Sequence, residues 1–270
     1  MKTIVLAAGF AKRLWPLTKD LPKPLLEVGG RSVLDHLLDL ALRAVEALHQ
    51  NEGVTLVSNA RFRGHFDAWR AARPDAEKLH VFDDGALDIA DARGALVDLA
   101  LAFDHAGPST EGYLVLAGDN LIDFELTPHL RAHEAAAVPA TLLVRRVTGV
   151  VPPARHGEVL VDCPFETSLD AAASASGHAP WRRVTRFREK PEQPESDLVA
   201  TGIYMVSPDA PSRLAAFLAR GDRPSNSHDA PGHFFVELAN SGVVGATLIE
   251  GRFFDIGNRE ALEAARAAYM

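Results

Sequence analysis

Short apolar runs alternate with helical patterns throughout the first half of the chain. The runs at residues 3–8, 54–58, 79–82 and 113–117 have the length of buried strands, and the segments between them have helical spacing. Alternation of this kind builds a mainly parallel sheet with helices on both faces. Ligands bind to such a sheet where its strands end at their carboxyl side.

Apolar spacing supports the predicted helices of this half. Ser32 can cap a helix in which apolar residues recur every three or four positions. Phe62, Phe66 and Trp69 form one stripe of another helix, which we interpret as core packing rather than as a platform for stacking bases. The remaining helices of this half are predicted at residues 95–103 and 126–136.

The second half has a different pattern. Strand-like runs at residues 140–147, 158–161, 183–187 and 199–206 follow one another with no helical pattern between them, which indicates antiparallel or mixed pairing. Residues 163–181 are rich in alanine and serine without periodicity, and we interpret them as an exposed, mobile loop. Helices at residues 214–218, 234–239 and 260–269 and a strand at residues 245–249 complete the pattern.

These elements predict an α/β fold: a doubly wound, mainly parallel, Rossmann-like sheet with an antiparallel or mixed elaboration in the second half. A chain of 270 residues with 47% hydrophobic residues can bury one large core, and no Pro/Gly-rich linker separates independent domains. We therefore expect a single domain over residues 1–270. Because the chain ends soon after Asp255, we expect no appended repeat domain and one activity. The sequence is compatible with a homo-oligomer and does not define the number of subunits.

Charge and composition exclude several classes of partner. The 28 basic and 36 acidic side chains give a net charge of −8, which argues against a nucleic-acid backbone as the partner. No apolar run approaches the roughly 18 residues of a membrane span. The short apolar start is interrupted by Lys12-Arg13, unlike a signal peptide, and Cys163 is the only cysteine. We therefore expect a cytoplasmic protein with no disulfide, no cysteine zinc site and no membrane contact.

Residue types that suit phosphate binding follow the first predicted strand. Gly9 lies in a run of small residues, where backbone N–H groups can approach a ligand closely and form an anion cradle. Arg13 adds a forked cation suited to phosphate oxygens, and Lys23 adds a compact cation between Pro22 and Pro24. Together they can hold a polyphosphate without a GxxxxGK(S/T) or GxGxxG motif, neither of which is present. The alternative is an ordinary strand–turn with solvated Arg13 and Lys23.

Two acidic residues are candidates for a metal site. Asp119 follows the apolar run at residues 113–117, and a carboxylate at the carboxyl end of a parallel strand faces the ligand crevice. Mg²⁺ takes one or two carboxylates together with substrate phosphates. Asp255 is a second candidate, far along the chain. The alternatives are an Asx turn at Asp119 and a helix cap at Asp255 for the segment that starts near Asn258.

A third charged group lies at a predicted strand end. Glu189 can accept hydrogen bonds from substrate hydroxyls and Lys190 can contact a phosphate, whereas a charged turn closed by Pro191 is the alternative. The eleven histidines form neither an HExxH nor an HxH motif, and no serine lies in a GxSxG elbow. The sequence therefore favours neither a histidine metal site nor a hydrolase triad.

Taken in order, these segments resemble the sugar-1-phosphate nucleotidyltransferase family, which includes glucose-1-phosphate thymidylyltransferases, UTP- and GTP-using relatives and phosphocholine cytidylyltransferases. The resemblance runs from the first strand to Asp255 and covers nearly the whole chain. The opening segment is its most specific part. Gly118-Asp119-Asn120, Glu189-Lys190-Pro191 and Thr201-Gly202-Ile203-Tyr204 follow in the family's order. The resemblance implies transfer of a nucleoside monophosphate from a nucleoside triphosphate to a sugar 1-phosphate, with Mg²⁺ as cofactor and pyrophosphate as the second product.

The resemblance also implies roles for individual residues. Backbone contacts to the nucleotide are implied for Leu6, Ala7, Ala8, Gly9 and Gly94. Phosphate contacts are implied for Arg13 and Lys23, and Mg²⁺ ligation for Asp119 and Asp255. Contacts to the sugar phosphate are implied for Gly157, Glu189, Lys190, Ala200 and Thr201.

On the nucleotide side, the chain departs from the family pattern in two places. Ala11 and Lys12 stand where relatives usually have a second glycine and a threonine. Ala11 still allows a close turn at some steric cost, and Lys12 adds a charge to the phosphate cradle. The segment between Asp83 and Gly94 is longer than in thymidylyltransferases, and base choice normally involves this region.

On the acceptor side, two further departures affect the expected sugar. His156 precedes Gly157 where relatives often have tyrosine, and residues 163–181 are longer than the usual tight turn. A cytidylyltransferase acting on phosphocholine or another non-sugar phosphate is therefore an alternative. A non-catalytic nucleotide- or sugar-binding regulator of the same fold is another, supported by the altered Ala11-Lys12 pair. The chain keeps all four charged residues implied in the chemistry, namely Arg13, Lys23, Asp119 and Asp255. This favours an enzyme over a regulator.

Overall fold

The computed structural model describes residues 1–149, 151–154, 156–165, 168–220 and 231–269. These residues form thirteen strands and eight α-helices. The strands are β1 (Lys2–Leu6), β2 (Glu27–Val28), β3 (Arg31–Ser32), β4 (Val54–Ser58), β5 (Leu79–Asp83), β6 (Tyr113–Ala117), β7 (Asn120–Ile122), β8 (Ala140–Arg146), β9 (Glu158–Val161), β10 (Trp181–Arg188), β11 (Leu198–Val206), β12 (Val244–Leu248) and β13 (Phe253–Asp255). The helices are α1 (Val33–Ala47), α2 (Arg63–Ala71), α3 (Ala95–Ala106), α4 (Thr127–Ala136), α5 (Ser168–Ala175), α6 (Ala210–Ala219), α7 (Gly232–Ser241) and α8 (Arg259–Ala268).

The first half of the chain follows a β–α–β pattern. The main sheet has the strand order β5-β4-β1-β6-β11-β8-β12-β10-β9, and the first four strands in that order pair in parallel. The chain moves outward from β1 to β4 and β5, and then returns to place β6 on the other side of β1. Open α/β sheets bind ligands at such a reversal, outside the carboxyl ends of the strands. The predicted parallel pairing of the first half is confirmed.

The second half of the sheet is mixed, as its sequence pattern predicts. β11 is antiparallel to both β6 and β8, whereas β8 and β12 are parallel. β10 is antiparallel to β12 and β9. Two small sheets, β2 with β3 and β7 with β13, lie outside the main sheet. The pairing of β7 with β13 sets Asp255 opposite Asn120 and so brings a distant part of the chain next to β6.

Apolar side chains cover both faces of the main sheet. On one face α1 and α2 contribute buried residues such as Leu37 and Phe66. On the other face α3 and α7 contribute buried residues such as Leu99 and Phe235. Burial of this apolar surface is the main favourable contribution to folding, and it fixes the strands whose ends carry the candidate site.

A third, smaller apolar cluster, here called the anchoring cluster, joins segments that are far apart in the sequence. It consists of Leu14, Leu26, Val28, Val33, Leu121, Ile256, Leu262 and Ala265. Four of these residues lie within three positions of a charged residue singled out above. Because packed interiors move little, the anchoring cluster holds the backbone near those charged residues in place.

Two local predictions for the first half are confirmed. Ser32 Oγ accepts a hydrogen bond from Asp35 N at 3.0 Å and caps α1. Phe62 and Phe66 are buried, and Trp69 packs partly buried against the same core. The indole N–H of Trp69 donates to Asp35 Oδ1 at 2.9 Å. The aromatic stripe is therefore core packing and is not available to stack a base.

One prediction for the second half is wrong. Residues 163–181 contain helix α5, where the lack of periodicity indicated a mobile loop and no helix between the strands. Alanine has the highest helix propensity, so an alanine-rich segment needs little amphipathic patterning to form a short helix. Asp170 of α5 forms a buried ion pair with Arg182 of β10, which holds the helix against the sheet. Residues 166 and 167 of the predicted loop lie outside the described residues.

The described helices are short. The longest, α1, has 15 residues, whereas a helix across a bilayer needs about 20 predominantly apolar residues. Within the described ranges, no helix has the length and apolar character that crossing a membrane requires.

Two buried histidines join α4 to the sheet. His129 Nδ1 lies 2.9 Å from Thr247 Oγ1, and His133 Nδ1 lies 2.9 Å from Thr141 Oγ1. Burial lowers the pKa of each imidazole to about 4, because the charged form would lose its hydration. Both histidines are therefore neutral in the folded protein at neutral pH.

The folded protein should lose stability as the pH falls from about 6.5, the ordinary histidine pKa, to about 4. In this window the unfolded chain binds a proton at each of these histidines and the folded protein does not. Exchanging His133 for glutamine should reduce the slope of the unfolding free energy against pH by up to about 1.4 kcal/mol per pH unit. Urea denaturation at a series of pH values measures it, with the exposed His65→Gln as control. Equal pH slopes in the two variants would contradict this account.

Candidate active site

A cavity of about 490 Å³ lies at the carboxyl ends of β1 and β6. Its walls are the loop after β1, the segment between β5 and α3, and the residues that follow β6. Lys12, Lys23 and Asp119 contribute to the lining. All five residues with implied nucleotide contacts also line it, namely Leu6, Ala7, Ala8, Gly9 and Gly94.

The loop after β1 offers backbone N–H groups to this cavity. Among the described residues, none accepts a hydrogen bond from the N–H of Gly9, Phe10 or Ala11. A Cβ on Gly9 would meet no atom within 4 Å, so this part of the backbone is open. Ala11 has φ 48°, in the left-handed region that favours glycine, which is the steric cost expected of alanine here. Thr18 Oγ1 donates to Ala11 O at 2.8 Å and helps to hold the turn.

The residues after β6 approach β1 closely. Gly118 N donates to Leu6 O at 2.9 Å, and a Cβ on Gly118 would lie only 3.0 Å from the same oxygen. Glycine suits this close approach, because a Cβ here would force the neighbouring backbone to shift. It brings Asp119 to the cavity wall, next to the loop after β1.

Lys23, Asp119 and Asp255 come together beside the cavity and are here called the acid–lysine cluster. Lys23 Nζ forms an ion pair with Asp119 Oδ2, and the lysine side chain is only 15% exposed. Ile256 N donates to Asp119 O at 3.2 Å, and Asp255 pairs with Asn120 across β13 and β7. The fold thus joins three charged residues from three distant segments.

The charges of neighbouring residues act on Asp255. The surrounding protein desolvates the Asp255 carboxylate and raises its pKa, and the negative charge of Asp119 adds to the rise. The positive charges of Lys23, Arg145 and Arg13 act in the opposite direction. The Asp255 side chain nevertheless stays accessible to solvent. Two carboxylates therefore repel each other within a group of three cations.

The local alternatives do not account for Asp255, Asp119 and Lys23, whereas Arg13 is exposed, as its alternative predicted. Asn258 Oδ1 accepts a hydrogen bond from Ala261 N at 2.8 Å, so Asn258 and not Asp255 caps α8. The side chain of Asp119 contacts Lys23, and Lys23 is largely buried rather than solvated. The acid–lysine cluster is therefore not explained by local turn or cap formation.

The donor set of the acid–lysine cluster suits a hard cation. Asp119 and Asp255 supply carboxylate oxygens, and Mg²⁺ typically takes one or two carboxylates with water and substrate phosphates as its other ligands. In the described part of the chain, no group of three or more His, Cys, Asp or Glu side chains could hold a metal ion. An ion at this pair would therefore draw its remaining ligands from water or from a bound phosphate.

The residues implied at the sugar phosphate form a second group, here called the Glu189 group. Ala200 N donates to Gly157 O at 2.9 Å, and a Cβ on Gly157 would lie 3.2 Å from Glu189 Oε2. Lys190 Nζ lies 3.6 Å from Glu189 Oε1. The structure therefore brings four of the five implied residues together.

The fifth residue, Thr201, connects the Glu189 group to the acid–lysine cluster through its backbone. Its hydroxyl is buried and donates to Leu143 O at 2.9 Å, so this side chain stabilises the contact between β11 and β8. Thr201 O accepts a hydrogen bond from Asn120 Nδ2 at 2.6 Å. Asn120 follows Asp119 directly, so the two groups share one hydrogen-bonded link.

Glu189 is enclosed by the start of α7. Its side chain is 11% exposed, and burial raises its pKa, against the effect of the nearby Lys190 and His233 charges. A Cβ on Gly232, the first residue of α7, would lie 1.8 Å from Glu189 Oε2. Pro231, its neighbour, lines the 490 Å³ cavity, so the Glu189 group adjoins that cavity.

Three charged residues near the site were missed by sequence reasoning. Asp84 and Asp98 are buried in the wall of the cavity, and the Arg145 charge acts on Asp255. Each left a signal in the sequence. Asp98 is an acid within the apolar pattern of α3, Arg145 follows four apolar residues of β8, and Asp84 lies in the long segment before Gly94.

Comparison with protein families assigns the class. The model of the nucleotidyl transferase family matches residues 2–270, and the chain belongs to this family. Mannose-1-phosphate guanyltransferase beta-B of Xenopus laevis is 25% identical over 270 residues, which cover 100% of this chain and 65% of that relative. Mannose-1-phosphate guanyltransferase of Schizosaccharomyces pombe is 26% identical over 262 residues, which cover 95% of this chain and 61% of that relative. The chain thus spans less than two thirds of the length of these relatives.

Solved structures share the fold. An apo UDP-glucose pyrophosphorylase aligns with a TM-score of 0.76 at 16% identity, over 99% of this chain and 97% of that one. A UTP-bound UGPase from Acinetobacter baumannii aligns with a TM-score of 0.72 at 18% identity, over 99% of this chain and 92% of that one. At this level of identity the likeness concerns the fold alone.

Asp98 changes charge near neutral pH. Burial raises the pKa of Asp98 to about 7, and the charge of Asp84 and a hydrogen bond between the two carboxyls contribute to the rise. The nearby Arg93 charge acts in the opposite direction. The same burial raises the pKa of Asp84. At neutral pH the two carboxyls therefore share a proton for part of the time.

Exchanging Asp98 for asparagine should stabilise the protein relative to the parent as the pH rises from 5 to 8. The folded parent keeps a proton on Asp98 that the unfolded chain has released, so stability from the protonated form is lost as the pH approaches 7. We expect a relative gain of about 1–3 kcal/mol in unfolding free energy. Both proteins contain the buried histidines, so the histidines' contribution cancels in the difference between the two unfolding free energies.

Urea denaturation of the two proteins at each pH measures this gain. Asp104→Asn, an exposed acid on the same helix, is the matched control and should show no trend. A difference between parent and Asp98→Asn that is constant or shrinks as the pH rises would refute the expected titration.

Proposed function

We propose that this chain transfers a nucleoside monophosphate from a nucleoside triphosphate to a sugar 1-phosphate, giving an NDP-sugar and pyrophosphate. The main support is that Lys23, Asp119 and Asp255 lie together beside a cavity lined by the loop after β1. Membership of the nucleotidyl transferase family supports the same class of reaction.

The reaction is a displacement at the α-phosphorus of the donor. An oxygen of the sugar 1-phosphate forms the new bond to that phosphorus, and the bond to the bridging oxygen breaks with its electrons on pyrophosphate. Because the attacking phosphate is already ionised at neutral pH, no side chain has to remove a proton. Catalysis then depends on holding both phosphates in line and on compensating their charge.

The loop after β1 is suited to the donor's phosphates. Its N–H groups at Gly9, Phe10 and Ala11 have no acceptor among the described residues, and consecutive N–H groups bind anions. Lys23 lines the cavity while it contacts Asp119, so its ammonium is within reach of phosphate oxygens bound there. Arg13 is exposed beside this loop and can follow the departing pyrophosphate.

Within this proposal, Asp119 and Asp255 hold Mg²⁺. When bound, the ion would supply positive charge to the phosphates of both substrates. The two carboxylates match its oxygen preference, and their mutual repulsion favours a cation between them. Lys23 compensates only the charge of Asp119 by direct contact.

The Glu189 group is suited to the acceptor. The Glu189 carboxylate can accept hydrogen bonds from two sugar hydroxyls, and the half-exposed Lys190 can contact the phosphate. Gly157 keeps space beside Glu189 because any side chain there would press on the carboxylate and on Phe187. The backbone of Ala200 completes the group.

The proposal also covers the type of fold, the number of domains and the cellular location. The parallel pairing of β5, β4, β1 and β6 and the helices on both faces support a doubly wound, Rossmann-like description of the fold. The main sheet draws strands from both halves of the chain, which supports one catalytic domain over residues 1–270. The free thiol of Cys163 supports a reducing, cytoplasmic location.

Replacing Lys23 with alanine, or Asp119 with asparagine, should lower turnover about a hundred- to a thousandfold, because each change removes one preorganised charge. The side chains of Lys23 and Asp119 are 15% and 29% exposed, so loss of their ion pair should lower the unfolding free energy by about 1–3 kcal/mol, more than for a surface pair. Pyrophosphate release measures turnover. Lys19→Ala, which removes an exposed lysine of the same loop, is the control and should be fully active.

The release assay should use a panel of nucleoside triphosphates with several sugar 1-phosphates and phosphocholine. A folded Asp119→Asn protein with near-normal turnover would refute the proposed mechanism. Release with phosphocholine alone would favour the cytidylyltransferase alternative. Nucleotide binding without release on any acceptor would favour a regulator.

Replacing Glu189 with glutamine should raise the KM for the sugar phosphate about tenfold or more and leave the KM for the nucleotide unchanged. The amide has the same shape but accepts weaker hydrogen bonds than the carboxylate. Initial rates at varied acceptor and donor concentrations separate the two effects. The exposed Glu192→Gln is the control, and a Glu189→Gln enzyme with an unchanged acceptor KM would place the sugar elsewhere.

A further inference from the structure

The cavity that we assign to the nucleotide has two chemically different parts. The loop after β1 supplies N–H groups and the cations Lys12 and Lys23. The segment between β5 and α3 supplies two buried acids, Asp84 and Asp98, together with apolar side chains such as Ile89. Phosphates suit the first part, whereas the second part repels anions and suits a flat, partly apolar group.

The strand order separates these two parts. Asp119 follows β6 on one side of β1, and Asp84 follows β5, two strands away on the other side. Neighbouring strands lie about 4.8 Å apart, so the three spacings from β5 to β6 amount to about 14 Å. This is the scale of the distance between the base-pairing edge of a nucleotide and its phosphates. Phosphates bound near Lys23 would therefore leave the base near Asp84 and Asp98.

Asp84 and Asp98 present hydrogen-bond acceptors in the wall of the cavity. They are only 4% and 8% exposed. Ala86 N donates to Asp84 Oδ1 at 2.8 Å, whereas Asp98 Oδ1 is buried with no hydrogen-bond partner among the described residues. A buried acceptor without a donor is costly, and either a proton shared with Asp84 or a ligand that donates to it would remove that cost. A proton shared between the two carboxyls leaves their other oxygens as acceptors.

Neighbouring acceptors discriminate between nucleobases. Guanine offers its N1–H and 2-amino group side by side, which matches two carboxyl oxygens. Uracil and thymine offer one N–H between two carbonyl oxygens, and buried acceptors would repel those oxygens. Adenine and cytosine offer an amino group beside a ring nitrogen that is itself an acceptor.

We infer, on the basis of the proposed function, that Asp84 and Asp98 recognise the base of the donor nucleotide and that this base is guanine. The donor is then GTP, and the two acids are specificity-determining residues rather than part of the reacting centre. Ile89, Ala92 and Ala95 line the same part of the cavity and supply apolar surface for the faces of the purine.

Calorimetric titration of the purified protein with GTP and with ITP, in the presence of Mg²⁺, tests this recognition. ITP lacks only the 2-amino group of guanine. GTP should bind about ten- to a hundredfold more tightly, because ITP leaves a buried carboxyl oxygen unpaired. UTP and dTTP should bind more weakly than GTP. Equal affinities for GTP and ITP, or tighter binding of UTP or dTTP than of GTP, would overturn the inference.

The variant Asp98→Asn should bring the ratio of GTP to ITP affinity close to one, because its amide replaces an acceptor with a donor. Asp104→Asn, on the exposed face of the same helix, should keep the parent's ratio. A folded Asp98→Asn protein with the parent's full ratio would refute the assignment. The nucleotide comparison in the parent needs no variant and stands even if Asp98→Asn fails to fold.

The same titrations separate this inference from the proposed function. Pyrophosphate release with UTP or dTTP in preference to GTP would overturn the inference and leave nucleotidyl transfer intact. Failure of all four nucleotides, and of CTP and ATP, to bind would overturn both.

Discussion

Two negative charges are held side by side at the centre of the candidate site. The pairing of β7 with β13 fixes Asp255 next to the backbone of Asp119, and the anchoring cluster packs against both segments. Because this packing keeps the two backbone segments together, nearby cations are needed to reduce the repulsion between the two carboxylates. Lys23, Arg13 and Arg145 offset part of it. The same requirement suits the site to a divalent ion and to the phosphate groups that such an ion accompanies.

The order of the strands distributes the substrates around this charge pair. The loop after β1 and the cavity lie on one side of β6, and β11, which carries Ala200 and Thr201, lies on its other side. The hydrogen bond from Asn120 to Thr201 O joins the two sides next to Asp119. A nucleotide in the cavity and a sugar phosphate at the Glu189 group would therefore place their phosphates toward the same pair of acids. In-line transfer requires an arrangement of this kind.

Much of this organisation could be predicted from local sequence, because strands, caps and turns depend on near neighbours. The end of β1, the cap at Ser32 and the acid after β6 are examples. Contacts between distant segments could not be predicted in this way. No spacing rule joins Lys23 to Asp119 or Asp119 to Asp255, and only the family resemblance suggested that the two acids act together. Helix α5 was missed since its alanines carry propensity without periodicity. Asp98 was missed since its helix has the pattern of a core element.

The central claim is that Asp119 and Asp255 together form a site for a divalent cation. Crystals of the protein grown with Mn²⁺ and pyrophosphate would test it most directly, because the anomalous signal of manganese locates the ion without reference to activity or base preference. We predict an anomalous peak within metal–oxygen bonding distance of carboxylate oxygens of both Asp119 and Asp255, with pyrophosphate oxygens among the remaining ligands. Manganese bound elsewhere, with Lys23 still paired to Asp119 and no peak at the two acids, would contradict the account.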